Sequence, residues 1–155
     1  MPREKSVGAI IFRREPFESA QGKKSNIFYL LLHYPSGHWE FARGHGAEGE
    51  DEQKTARREI EEETGLKNLK IIPGFREYSR FFFRRTYGLS GQAKKKAPWV
   101  FKLVVLYLAE TKTGDIKISK EHQGYAWMLY EDAVKKVPNS AKEVLRKAKE
   151  FISKH

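Results

Sequence analysis

Residues 44–66 constrain this chain more than any other stretch, because a glycine-rich loop there runs into a helix with little to bury. Residues 51–64 have helical composition, and Gly65 supplies the C′ residue that ends the helix. Ala56 and Ile60 form a narrow apolar stripe, which therefore has to face a core. Glu59, Glu62 and Glu63 stand at i, i+3 and i+4, clustered on the flank beside that stripe. Arg57 can reach Glu61, and Arg58 can reach Glu62, each at i+4. Glu59 and Glu63 are left facing each other, with Thr55 rather than a cation on the preceding turn. Such a like-charge pair costs roughly 0.2–0.5 kcal/mol on an exposed helix, and more where the dielectric is low. It also lies toward the helix C-terminus, where the dipole disfavours anions. A divalent cation would turn that cost into a binding site, and oxygen-only ligation suits Mg²⁺ or Mn²⁺. A solvated acidic helix without metal is the competing reading of these residues taken alone.

The rest of the chain supplies a sheet for that helix to cover. Residues 6–12 and 27–33 are apolar and β-branched and read as buried strands, separated by a polar loop through Gly22, Lys23 and Lys24. Pro35, Ser36 and Gly37 make a turn before a short extended piece at residues 39–41. Residues 69–75, 99–109 and 125–129 read as further strands. Between the first two of these, residues 82–98 are basic, aromatic and glycine-containing, as in a mobile loop or a long hairpin. A short helix is expected over residues 130–137. Ser140 is the expected N-cap of a final helix with Ala141, Val144, Leu145, Ala148, Phe151 and Ile152 on one face. Mixed strands with two main helices predict an α+β class, one mixed sheet sandwiched between helices in α/β/α layers.

At 155 residues the chain fits one domain, spanning residues 1–155, with a basic loop at about 84–98. Cysteine is absent, which excludes disulfides, thiolate metal sites and a cysteine nucleophile. No apolar run reaches the length of a membrane span and no signal-like segment opens the chain, so a cytoplasmic location is the expectation. The net charge of +10 suits an anionic ligand, phosphate being the usual one, although solvation of the surface accounts for many of the cations. Its distribution says more than its sum. From Arg80 to Lys102 there are seven cations and no acid, whereas from Gly44 to Glu63 eight acids stand against three cations. Charges separated in this way can place a cation-binding centre beside a phosphate-binding rim.

The spacing of Gly44, five residues, Glu50, seven residues, Arg58-Glu59-Ile60, one residue, Glu62-Glu63, one residue, Gly65-Leu66 resembles the Nudix box at every fixed position. The resemblance implies the Nudix fold and an enzyme that hydrolyses a nucleoside diphosphate linkage. It also implies a loop–helix–loop in which Glu59, Glu62 and Glu63 hold divalent metal, with the Gly44 carbonyl as a further ligand. Arg58 and Glu50 would fix the shape of the motif. Two or more divalent cations held there would neutralise a diphosphate, activate a water and stabilise the leaving phosphate oxygen.

Outside the box the chain resembles the bis(5′-nucleosyl)-tetraphosphatase branch, the diadenosine tetraphosphate (Ap4A) hydrolases. The matching residues are 8–13, His38-Trp39, Gly44-His45, Lys102 in a strand ending at Leu108-Ala109-Glu110, and Glu121 to Trp127. By position, Lys102 and Arg43 would contact phosphates, with His38 and His45 near the phosphate chain. Arg43 departs from the lysine usual there, and Ala42 replaces a usual proline. Glu121 would be an extra metal ligand or the water-activating base. Tyr78 or Phe81 would stack a base, Phe82, Phe83 and Tyr87 would extend that platform, and Tyr125 would touch ligand. The basic segment departs from the branch, where the connection is shorter. It would hold a longer polyphosphate or a 5′-triphosphate RNA end, unless it is only a solvated loop. The implied reaction is conversion of Ap4A to ATP and AMP. An RNA 5′-pyrophosphohydrolase or another nucleotide pyrophosphatase of the same fold is the nearest alternative. A non-catalytic nucleotide- or RNA-binding module is the third reading.

Overall fold

A computed structural model describes residues 3–46, 49–86 and 88–155. Its centre is β1 (Arg3–Ser19), whose apolar residues 7–12 are buried on both faces. On one side β1 runs parallel to β6 (Trp99–Glu110), which pairs antiparallel with the edge strand β5 (Lys70–Arg84). On the other side it pairs antiparallel with two partners in turn. Ser6 to Gly8 pair with β4 (Arg43–His45), and from Phe12 onward β1 pairs with β2 (Gly22–His33). β2 in turn carries β3 (Trp39–Glu40) and β7 (Gly124–Met128). The change of partner needs Gly8, because a Cβ there would overlap the Ala42 carbonyl oxygen.

Strand alternation sorts the apolar residues into two cores. Ile10, Phe12, Leu31, Val104, Leu106 and Leu108 face α3 (Tyr130–Lys136) and α4 (Asn139–Lys154). Val7, Ala9, Ile11, Leu30, Leu32, Val105 and Ala109 face α1 (Glu52–Thr64), which contributes Ala56 and Ile60. The α/β/α layering predicted from the sequence is present. Among the described residues, no helix is long and apolar enough to cross a membrane.

Several local expectations are corrected. The polar stretch around Gly22 is no loop, because β1 and β2 continue as a hairpin down to Ser19 opposite Gly22. Its backbone ladder and opposed charges, such as Glu18 across from Lys23, hold it beyond the core. Arg43, Gly44 and His45 form a strand rather than the start of a loop. Of the two readings offered for the basic segment, the hairpin is the one present: β5 runs to Arg84, β6 starts at Trp99, and a short helix α2 (Gly91–Lys95) lies between. Helix α4 begins at Asn139 after Pro138, with no side-chain cap, so Ser140 lies inside its first turn. Proline presets the entry dihedral and carries no donor, which moves the start forward. Ala141, Val144, Leu145, Ala148 and Ile152 are buried as expected, with Phe151 packed at the margin.

Candidate active site

Helix α1 is fixed at both ends. Asp51 caps it by accepting from the Lys54 N–H at 2.9 Å, and Gly65 closes it at φ 77°. Glu52 in the first turn accepts from Arg76 (2.8 Å), Lys5 (2.6 Å) and the Tyr107 hydroxyl (2.8 Å). The Arg76 hydrogen bond, with those from Lys5 and Tyr107, holds its carboxyl well below the usual range. Arg58 then binds the preceding loop to the helix. It donates to Glu50 from Nε (3.0 Å) and to the His45 carbonyl from Nη2 (3.1 Å), and its Nη1 reaches Glu62 (3.1 Å) and Glu59 (2.9 Å). The Arg58–Glu62 pair was expected. Arg57 instead donates to the Leu69 carbonyl at 3.0 Å, because it points toward the chain leaving the helix. Glu59 is therefore not left uncompensated, and that reading is corrected.

Glu63 is the residue under electrostatic stress. Its side chain is mostly buried in the cleft wall, and its Oε2 has no hydrogen bond among the described residues. Burial, and then the charge of Glu59, push its carboxyl up to about 8 against the opposing Arg43 backbone N–H. Burial also raises Glu59, with Arg58 opposing. His122 Nε2 stands 3.4 Å from Glu63 Oε2 without a hydrogen bond to any described residue, on a side chain only 1% exposed. Ser119 Oγ sits 2.9 Å from His122 Nδ1 and accepts from the Glu121 N–H at 3.4 Å. A serine hydroxyl that donates to Nδ1 leaves the imidazole proton on Nε2, on the side of Glu63. This loop is also tied to α1 by Lys117 N–H to Thr64 O (2.9 Å) and Ser119 N–H to Glu63 O (3.2 Å). Glu121, itself exposed, is thereby carried to the helix.

A cleft of about 470 Å³ collects these groups. Glu59, Glu62, Glu63 and Glu121 line it together with Gly44, His45, Arg43 and Lys102. Glu40, mostly buried, pairs with Arg43 at 2.6 Å and with His38 Nε2 at 2.8 Å. Burial, reinforced by Arg43, lowers Lys102 to about 8, and Glu4 stands 3.6 Å from its Nζ. Gly44 gives way to Glu59: a Cβ at position 44 would overlap the Glu59 carboxylate. Among the described residues, no three acidic or histidine side chains are drawn to metal-ligand spacing. The donor set nonetheless suits a hard cation. Its oxygens are all carboxylate or carbonyl, Glu63 Oε2 has no hydrogen-bond partner among the described residues, and Glu59 and Glu63 are raised by burial and by neighbouring carboxylates.

Gly44→Ala should therefore leave the fold intact and lower turnover. The overlap falls on the movable end of a side chain, so stability should change by less than about 1 kcal/mol. Displacing Glu59 should reduce kcat/KM by about 30-fold. Thermal melting and steady-state kinetics on the same preparation check both halves, and a loss of fold with activity would contradict this account.

Not every expected site residue joins the cleft. Arg58 braces its rim from behind. His38 lies outside the lining and connects to it through Tyr34, against which it stacks at 5.2 Å, and through Glu40, which holds Arg43. Tyr78 is exposed in a separate shallow groove, Phe81 packs against the α4-side core, and Tyr125 is exposed on β7. Tyr87 lies outside the described residues. Sequence reading missed Ser6, Tyr34 and Ser119 in the lining, and His122 behind it. His122 could have been found as the neighbour of Glu121 in a quoted motif. Tyr34 carried no local signal.

The NUDIX domain model matches residues 2–148. This chain belongs to the Nudix family. The Nudix chain is 36% identical over 135 residues to the mouse bis(5′-nucleosyl)-tetraphosphatase [asymmetrical], covering 83% of this chain and 81% of that one. It is 32% identical over 133 residues to the Caenorhabditis elegans protein of the same name, covering 84% of this chain and 83% of that one. Among solved structures it is similar to a C. elegans Ap4A hydrolase binary complex, with a TM-score of 0.73 and 30% identity over 98% of this chain and 99% of that one.

Proposed function

We propose that this Nudix hydrolase cleaves a dinucleoside polyphosphate, with Ap4A giving ATP and AMP. The observation that carries the reading is the single cleft in which four carboxylates face Arg43 and Lys102. Similarity to bis(5′-nucleosyl)-tetraphosphatases over most of the chain supports the substrate class.

In this reading Glu59, Glu62 and Glu63, with the Gly44 carbonyl and Glu121, hold a divalent cation, Mg²⁺ or Mn²⁺. When bound, the cation supplies charge neutralisation and activation of water. The chain's own groups do the rest. Arg43, kept in place by Glu40, and Lys102 hold the phosphates, while His45 lies at the loop edge. Glu121 takes a proton from the attacking water if it is not itself a ligand. His38 orders Tyr34, and Tyr125 offers an exposed ring to a base. The reading keeps the one-domain organisation and the cytoplasmic location expected from the sequence.

The test is a screen of Ap4A, ADP-ribose, deoxynucleoside triphosphates and 5′-triphosphorylated RNA with Mg²⁺ and Mn²⁺, products resolved by chromatography. ATP and AMP from Ap4A are expected. Pyrophosphate released from RNA with no turnover of Ap4A would replace this reading. Binding without turnover of any substrate would make the chain a sensor.

Lys102 gives the reading a pH signature. An ammonium lowered to about 8 loses its charge as pH rises through that value, so kcat/KM for an anionic substrate should fall above pH 8. Lys102→Arg remains charged there, so its alkaline limb should move beyond pH 10. An unmoved limb would take Lys102 out of phosphate binding.

A further inference from the structure

On the α1 side of the sheet, the β5 edge is left uncovered. Every second residue of β5 from Arg76 is exposed, and these residues are Arg76, Tyr78, Arg80, Phe82 and Arg84. The register places Leu103, Phe101 and Trp99 of β6 opposite Arg80, Phe82 and Arg84. It then places Arg3 and Lys5 of β1 beside Phe101 and Leu103. Cross-strand partners share a face, so three strands present one surface of alternating cations and rings. Phe82 is 57% exposed, Tyr78 49% and Trp99 48%. Arg84 lies over the Trp99 ring at 4.6 Å and Arg80 near the Tyr78 ring at 5.4 Å. Arg76 and Lys5 are occupied by Glu52. Arg3, Arg80 and Arg84 make no salt bridge among the described residues. A groove of about 310 Å³ runs between Tyr78, Arg80 and Phe101.

We propose that this face binds a single-stranded nucleic acid, apart from the hydrolytic cleft. The reasoning is complementarity of charge and of shape. A solvated surface needs its arginines but not three exposed rings among them. A protein partner would use the rings as well, but it would have to supply acids for the arginines, whereas a nucleic acid carries its phosphates along its whole length. Unstacked bases present both features together, phosphates for the guanidiniums and π-faces for Tyr78, Phe82 and Trp99. Strand spacing also fits. Alternate residues recur about every 6.8 Å, twice the roughly 3.4 Å rise per base of a duplex strand, so a strand drawn out of its stack can follow the row. A duplex keeps its bases inside and would meet only the cations.

The test uses the full chain and a fluorescently labelled 12-nucleotide RNA of mixed sequence, alone and annealed to its complement. Anisotropy titrations should show the single strand binding more tightly than the duplex. With about three phosphates neutralised, affinity should fall roughly 20-fold between 50 and 200 mM salt. Phe82→Ala and Trp99→Ala should each weaken single-strand binding about tenfold and leave duplex binding unchanged. Both side chains are exposed, so the variants should fold, and hydrolysis of a small nucleotide should persist in Trp99→Ala. Equal binding of both forms, insensitive to the two ring substitutions, would reduce the face to bulk charge and overturn the proposal. So would self-association in sedimentation that Arg80→Glu abolishes, because the occupant would then be a second copy.

Discussion

Glu63→Gln is expected to lower hydrolysis on the order of 10³-fold while making the metal-free protein more stable above neutral pH. The two effects share one cause. In the folded chain the Glu63 carboxyl is buried, faces Glu59 and is pushed up to about 8, whereas a free glutamate ionises near 4.5. Between those values the folded state binds the extra proton, so stability falls as pH rises from about 4.5 through 8. Glutamine does not titrate and keeps the shape. At pH 5 the variant and the parent should therefore melt together. At pH 8.5 in EDTA the variant should be more stable by about 2 kcal/mol, several degrees in Tm. The same substitution removes an anionic ligand oxygen, and turnover goes with it. An active Glu63→Gln, or one that melts lower at pH 8.5, would contradict this account of the cleft.

Arg58→Lys should be the most damaging substitution outside the cleft lining. Four groups depend on its planar fork: Glu50, the His45 carbonyl, Glu59 and Glu62. A lysine has three donors at one point and cannot span them. Glu50 and the His45 carbonyl would lose their bridge, and β4, which carries Gly44, would separate from α1. The Glu62 side is exposed and contributes little. The expected loss is about 2 kcal/mol in urea unfolding, with kcat/KM down about 100-fold and added divalent cation restoring only part of it. Full activity in Arg58→Lys would show that one charge, not the fork, is what the motif needs.

The layers of this fold could be read from the chain because its apolar residues follow the two available periods. Residues 7–12 and 104–109 are continuous and had to be buried on both faces, and they are. The stripe on α4 and the Ala56–Ile60 stripe on α1 landed on opposite faces of one sheet. What failed was an element whose support is not apolar. The hairpin joining β1 and β2 projects beyond the cores on a backbone ladder and charge pairs. Its polar, lysine-rich sequence reads as loop, because hydropathy does not register a ladder. For the basic segment after β5 the sequence left loop and hairpin open, and strand pairing up to Arg84 and Trp99 decides for the hairpin. The start of α4 failed for a smaller reason, proline at 138 competing with serine at 140.

The glutamate helix, its spacing and the kind of cation it would suit were all legible in the chain, because one helix turn sets which side chains are neighbours. The sequence alone could not say which of those glutamates would be stressed. Local pairing marked Glu59 and Glu63 equally, and only the tertiary structure separated them, giving Glu59 to Arg58 and burying Glu63 against His122. The same holds for the cleft and for the basic face. Arg43 and Lys102 lie far apart in the chain and meet the carboxylates only because β1 changes partner at Gly8. Arg3, Arg80 and Arg84 share a surface only because strand register aligns them. Spacing along the chain fixes contacts within one helix or strand; burial and register are set by what packs across it.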